Sequence, residues 1–135
     1  LVNPASGGNY RVCGDILDLH NYPHPSMYLF DPQRINVLGE YGGLGLPVED
    51  HLWWNKRNWG YVQFKNGSEV TAEYVKLAGE LKDLVSKGFC AGVYTQTTDV
   101  EGEVNGLMTY DRKVIKVDEA AVKAANQSVI DALTE

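Results

Sequence analysis

The sequence predicts an α/β fold of parallel strand-and-helix units, and two observations carry that prediction. Apolar strand-like runs and amphipathic stretches follow one another as strand, loop, strand, loop, helix, strand, loop, helix, with connections long enough for parallel crossovers. Each polar cluster also falls just after a predicted strand: His20, Asn21 and Tyr22 after the first, Glu40 and Tyr41 after the second, Thr95 to Asn105 after the third. Parallel sheets place their ligand sites at that end of the strands. With 135 residues, the chain is expected to form one domain, residues 1–135, burying about two-thirds of its unfolded surface.

The first strand is read from "GDILDLHNYPHP", over Ile16 to His20, and is stopped by Pro23 and Pro25. The second is "RINVLGEY", residues 34–41, apolar almost throughout, as in a strand covered on both faces. A long aromatic loop follows, "HLWWNKRNWGYVQFKNGS", residues 51–68. From about Thr71 to Lys87, Tyr74, Leu77, Ala78, Leu81, Leu84 and Val85 recur at helical spacing, with Thr71 as the expected cap and Gly88 as the stop. "FCAGVYTQ", residues 89–96, is the third strand. A last helix is expected from Asp118 to about Leu133, with Val122, Ala125, Val129 and Leu133 facing inward.

Composition narrows the function classes. The net charge of -6, without a Lys/Arg cluster, argues against a nucleic-acid partner held through phosphates. No apolar run approaches the roughly 20 residues that span a bilayer, and no signal-like segment opens at Leu1, so no membrane partner is expected. Cys13 and Cys90 are expected to be buried free thiols, with a disulfide as the lesser alternative. His20 and His24 are separated by a path through Pro23 and cannot present two rings from one helical turn, so neither metal nor cofactor is expected.

Glu40 is the most informative acid. It ends an apolar strand and is surrounded by Gly39, Gly42, Gly43 and Gly45. It can be an ordinary strand-end acid, or a carboxylate given open space by glycines that permit a tight turn and close approach. His20 and Tyr22, at a neighbouring strand end, could donate hydrogen bonds that hold it ionised and oriented. Trp53, Trp54, Trp59, Tyr41, Tyr61 and Tyr94 suit either core packing or stacking on sugar faces. Asp99, Glu101 and Glu103 suit a solvated turn, a calcium site or contacts to substrate hydroxyls.

The motifs "SGG", "GDILDLHNYPHP", "NVLGEYGGLGLPVEDHLW", "WGY" and "YTQTTDVEGEVNGLMTYDR" together resemble the second half of the catalytic barrel of glycoside hydrolase family 2. That family includes β-galactosidases, β-glucuronidases and β-mannosidases. The resemblance covers Ser6 to Lys116 and implies a partial (β/α)8 TIM barrel, about its last three to four β/α units. It implies a carbohydrate substrate, with Glu40 as the catalytic nucleophile of a retaining exo-acting β-glycosidase, most like a β-galactosidase. By the same resemblance His20, Asn21 and Tyr22 line the nearby sugar subsite, and Tyr94, Gln96, Asp99 and Glu101 the other side of the pocket. The family's acid/base is a glutamate after an asparagine, and no Asn-Glu pair occurs here; the expectation is that it lies before Leu1 and that this piece alone is inactive. A partial barrel would leave open strand edges, hence an expectation of self-association. Two rival expectations are a non-catalytic carbohydrate-binding module using the aromatic loop 51–64, and a complete small α/β domain with an unrelated role.

Overall fold

The computed structural model describes residues 1–133 and contains, in chain order, β1 (Ile16–His20), β2 (Ile35–Gly42), β3 (Leu44–Gly45), β4 (Val62–Gln63), α1 (Gly67–Val85), β5 (Phe89–Thr95) and α2 (Glu119–Asp131). β1, β2 and β5 form a parallel sheet in the order β1-β2-β5, and β3 pairs with β4 in a second, two-stranded parallel sheet. The expected partial (β/α)8 barrel is therefore corrected. A barrel unit follows each strand with a helix, whereas here β1 passes to β2 through turns, and residues 43–66 go to β3, β4 and the aromatic loop. Two helices and two small sheets do not close into a barrel wall. None of the described helices is long and apolar enough to cross a membrane.

α1 begins four residues before the sequence-based start, because Asn66 and not Thr71 is its cap: the Asn66 side chain accepts from the Glu69 backbone N–H at 2.9 Å. Thr71 lies inside the first turns, donating to the Gly67 carbonyl and accepting from the Asp118 N–H. The inner stripe matches the periodicity closely, with Val70, Tyr74, Leu77, Ala78, Leu81 and Leu84 buried. They pack with Leu17, Leu19, Leu38, Tyr41 and Phe89 of the large sheet. Each buried Val, Leu or Phe among them contributes on the order of 1.5–3 kcal/mol. α2 is peripheral: Val122, Ala125 and Val129 lean on this core, yet no residue of the helix is fully buried.

The second face of the sheet is left largely open. β5 is an edge strand whose residues 90–93 are exposed, Val93 among them. This overturns the expected burial of both cysteines: Cys90 lies on that exposed strand, and Cys13 in the loop before β1, both as free thiols. An apolar run signals a strand, but not how many of its faces acquire a neighbour.

β2 carries the irregularity that matters for function. Its pairing with β1 runs Leu19↔Leu38 and then His20↔Glu40, so Gly39 is an extra residue. The pairing with β5 slips at the same place, between Leu38 and Tyr41. Before the bulge, Asn36 and Leu38 face the core; after it, Tyr41 does. Had the alternation continued unbroken, Glu40 would share the Leu38 face. One inserted residue exchanges the two faces of a strand, and it turns the carboxylate out of the apolar core.

Candidate active site

The bulge sets Glu40 beside His20, its pairing partner on β1. The Glu40 side chain is 40% exposed, and Tyr22 donates its phenol hydrogen to Glu40 Oε2. His20 Nδ1 stands 3.4 Å from the same oxygen. Burial above all, and then the hydrogen bond to Glu40, push the Tyr22 phenol above its usual range, against an opposing hydrogen bond with Thr95. Tyr22 is thus a phenol, not a phenolate, at neutral pH, and serves Glu40 as a donor. The chain leaves both flanking strands through cis peptide bonds, Tyr22–Pro23 after β1 and Thr95–Gln96 after β5.

The glycines around Glu40 make room for protein side chains. A Cβ on Gly39 would lie 2.0 Å from Asp18 Oδ1, one on Gly42 2.3 Å from the Tyr94 ring and one on Gly43 2.4 Å from the Tyr61 ring. Gly42 and Gly43 also take positive φ, +97° and +66°. With Gly43 out of the way, Tyr61 stacks flat on Tyr22, ring centroids 3.7 Å apart and planes 3° from parallel. Trp59 meets Tyr61 edge-on at 5.4 Å. The result is a half-exposed aromatic shelf whose inner member holds the carboxylate.

Of the residues singled out from sequence, Glu40, His20 and Tyr22 come together. The Asn21 side chain instead closes the following turn by donating to the His24 carbonyl at 2.6 Å. Tyr94 faces the core, between Tyr41 and Tyr74, and burial raises its phenol well above the ordinary value. Gln96 donates to Glu103 and Asn105. Asp99 is buried in an ion pair with Lys116 at 2.6 Å and accepts from the Gly106 N–H. Burial pushes the Asp99 carboxyl up and the Lys116 ammonium down, each opposed by the partner's charge. That pair pins the 99–106 turn and does not face Glu40's solvent. Glu101 lines a separate surface cleft with Trp53 and Trp54.

The three histidines face four carboxylates: His20 lies between Asp18 and Glu40, His24 pairs with Glu80, and His51 with Asp111. Three contributors escape a reading of the site from sequence: Asp18, Tyr61 as the stacking partner, and Thr95. Asp18 has one legible signal, an acid in the middle of an apolar strand. Tyr61 and Thr95 lie in aromatic and polar segments, without a pattern that assigns either to Glu40. Comparison with protein-family models and with curated proteins gives no match for this chain, so the chemistry open to Glu40 rests on the residues around it.

Proposed function

We propose that Glu40 is the nucleophile of a retaining exo-β-glycosidase, β-galactosidase-like, acting on O-glycosidic bonds. The observation that carries this reading is the Tyr22–Glu40 hydrogen bond at an open strand end. A carboxylate that must attack an anomeric carbon needs one oxygen held and the other side free, and a phenol donor does this without neutralising the charge. The aromatic shelf of Tyr22, Tyr61 and Trp59 adds a flat surface for the apolar face of a sugar. The motif resemblance to glycoside hydrolase family 2 supports the same chemistry. Function belongs to sites and not to folds, so the open sheet does not count against it.

In the proposed reaction a Glu40 oxygen forms a bond to the anomeric carbon as the bond to the leaving oxygen breaks, and that oxygen takes a proton from a carboxylic acid. Water then attacks the same carbon, giving its proton to the acid's conjugate base, and the ester to Glu40 breaks to regenerate the carboxylate. The two carboxyl groups must stand about 5–5.5 Å apart. We assign the acid/base to polypeptide outside these 135 residues.

Kinetics test both halves of the assignment. The purified 135-residue chain is expected not to hydrolyse an aryl β-glycoside, because no acid protonates the leaving group. In a polypeptide that joins this chain to the acid-bearing residues, Glu40→Gln is expected to lower kcat by on the order of a thousandfold or more. Near-normal turnover by that variant would sink the proposal.

One observation favours a second reading, a non-catalytic carbohydrate-binding module on the aromatic loop 51–64. Trp53 and Trp54 are 60% and 48% exposed around Glu101. A saturable change in tryptophan fluorescence with β-linked oligosaccharides, unaffected by Glu40→Gln, would support it.

A further inference from the structure

We propose that Asp18 is a positioning residue for Glu40, acting through the His20 ring, an inference that rests on the reading of Glu40 as nucleophile. Asp18 sits in the middle of β1 and is only 7% exposed. Its Oδ2 accepts from Asn3 Nδ2 at 2.8 Å. Its Oδ1 is enclosed and has no hydrogen-bond partner. A buried carboxylate oxygen without a donor is costly, and His20 Nε2, at 3.5 Å, lies next to it.

The ring between the two carboxylates is confined. Gly7 lies against its face, where a Cβ would come within 2.6 Å of Cγ and Nδ1. Ser6 Oγ is 3.1 Å from Nε2, and Tyr28 donates to the His20 carbonyl at 3.2 Å. So fixed, the ring presents Nε2 to Asp18 and Nδ1 to Glu40. Gly39 belongs to the same device: the residue whose insertion re-aims Glu40 also lacks the Cβ that would displace the Asp18 carboxylate.

The two acids are coupled by the proton count of one ring. Protonated at both nitrogens, the ring turns a hydrogen toward each carboxylate; with a single proton it turns a lone pair toward one of them. Asp18 thereby fixes the orientation of the ring that faces Glu40. A hydrogen turned by that ring toward Glu40 supports the resting carboxylate, a contact that weakens as the carboxylate oxygen becomes an ester.

Nitrogen-15 NMR of the His20 ring in the 135-residue chain tests the contact directly. Asp18→Asn is expected to move the Nε2 resonance downfield, toward the position of a ring nitrogen without hydrogen. Glu40→Gln, at a half-open position that does not endanger folding, is expected to move Nδ1 in the same sense. In the hydrolytically active polypeptide, Asp18→Asn is expected to lower kcat about 10–100-fold, as loss of a residue supporting a reactive group does, with KM little changed. An Nε2 resonance unmoved by Asp18→Asn overturns the proposal, as does a moved resonance with unaltered kcat. If Asp18→Asn fails to fold, an Nδ1 resonance indifferent to Glu40→Gln overturns it equally. Normal hydrolysis by Glu40→Gln would instead remove the glycosidase reading, while the Nε2 response to Asp18→Asn would still decide the Asp18–His20 contact.

Discussion

At the scale of residues, the site is built by subtraction. Gly39, Gly42 and Gly43 suggest open space beside Glu40 when met in sequence, and in the fold that space is occupied by Asp18, Tyr94 and Tyr61. Gly42 is the most exacting of them, because it combines a φ of +97° with a ring at 2.3 Å from any Cβ. Gly42→Ala is expected to cost about 1–3 kcal/mol, from backbone strain and overpacking together. Urea denaturation measures it, and an unchanged midpoint would contradict the expectation. His20, Tyr22 and Glu40 are legible in the sequence because strand ends concentrate polar residues at one edge of a parallel sheet. Asp18 is legible only as an acid inside a strand, which gives no sign of the face it takes. Asp99 reads as a pocket residue because its partner, Lys116, is separated from it by 17 positions that carry no pairing signal.

At the scale of elements, the three strands of the large sheet and the two helices are legible from periodicity, but β3, β4 and the bulge in β2 are not. "LGEYGG" shows that the backbone can deviate there without showing which residue is the extra one. The connections between elements are held by polar pairs that local patterns do not announce. His51, at the start of the aromatic loop, bonds Asp111 at 2.8 Å, and Trp53 leans on Tyr110 at 5.6 Å. Thr109, above all, and then His51 hold the Asp111 carboxyl far below its ordinary value of 3.8. A group depressed on folding contributes stability that is present above its unfolded value and lost as pH falls toward the folded one. The aromatic loop is therefore expected to loosen from the 109–113 turn only below about pH 4, seen as a change in tryptophan emission. Asp111→Asn should abolish that transition, and an unaltered acid profile in the variant would refute the assignment.

At the scale of the whole molecule, the local pattern of β/α units is a poor guide to closure. Strand motifs announce strands, but the number of neighbours each acquires depends on contacts far along the chain, and here three strands pair into an open sheet with helices on one face. The proposed chemistry needs less than a barrel. It needs a parallel strand end, a bulge that turns one acid out of the core, a phenol to hold it and a flat aromatic surface beside it. The proposed acid/base comes from elsewhere, which makes the catalytic claim a claim about Glu40. The most direct test is to trap the intermediate with a 2-deoxy-2-fluoro-β-glycoside bearing an activated leaving group, in the hydrolytically active polypeptide, and to locate the sugar by peptide mass spectrometry. A covalent glycosyl ester on Glu40, absent in Glu40→Gln, is the expected result; a trapped sugar on any other residue would contradict the role given to Glu40.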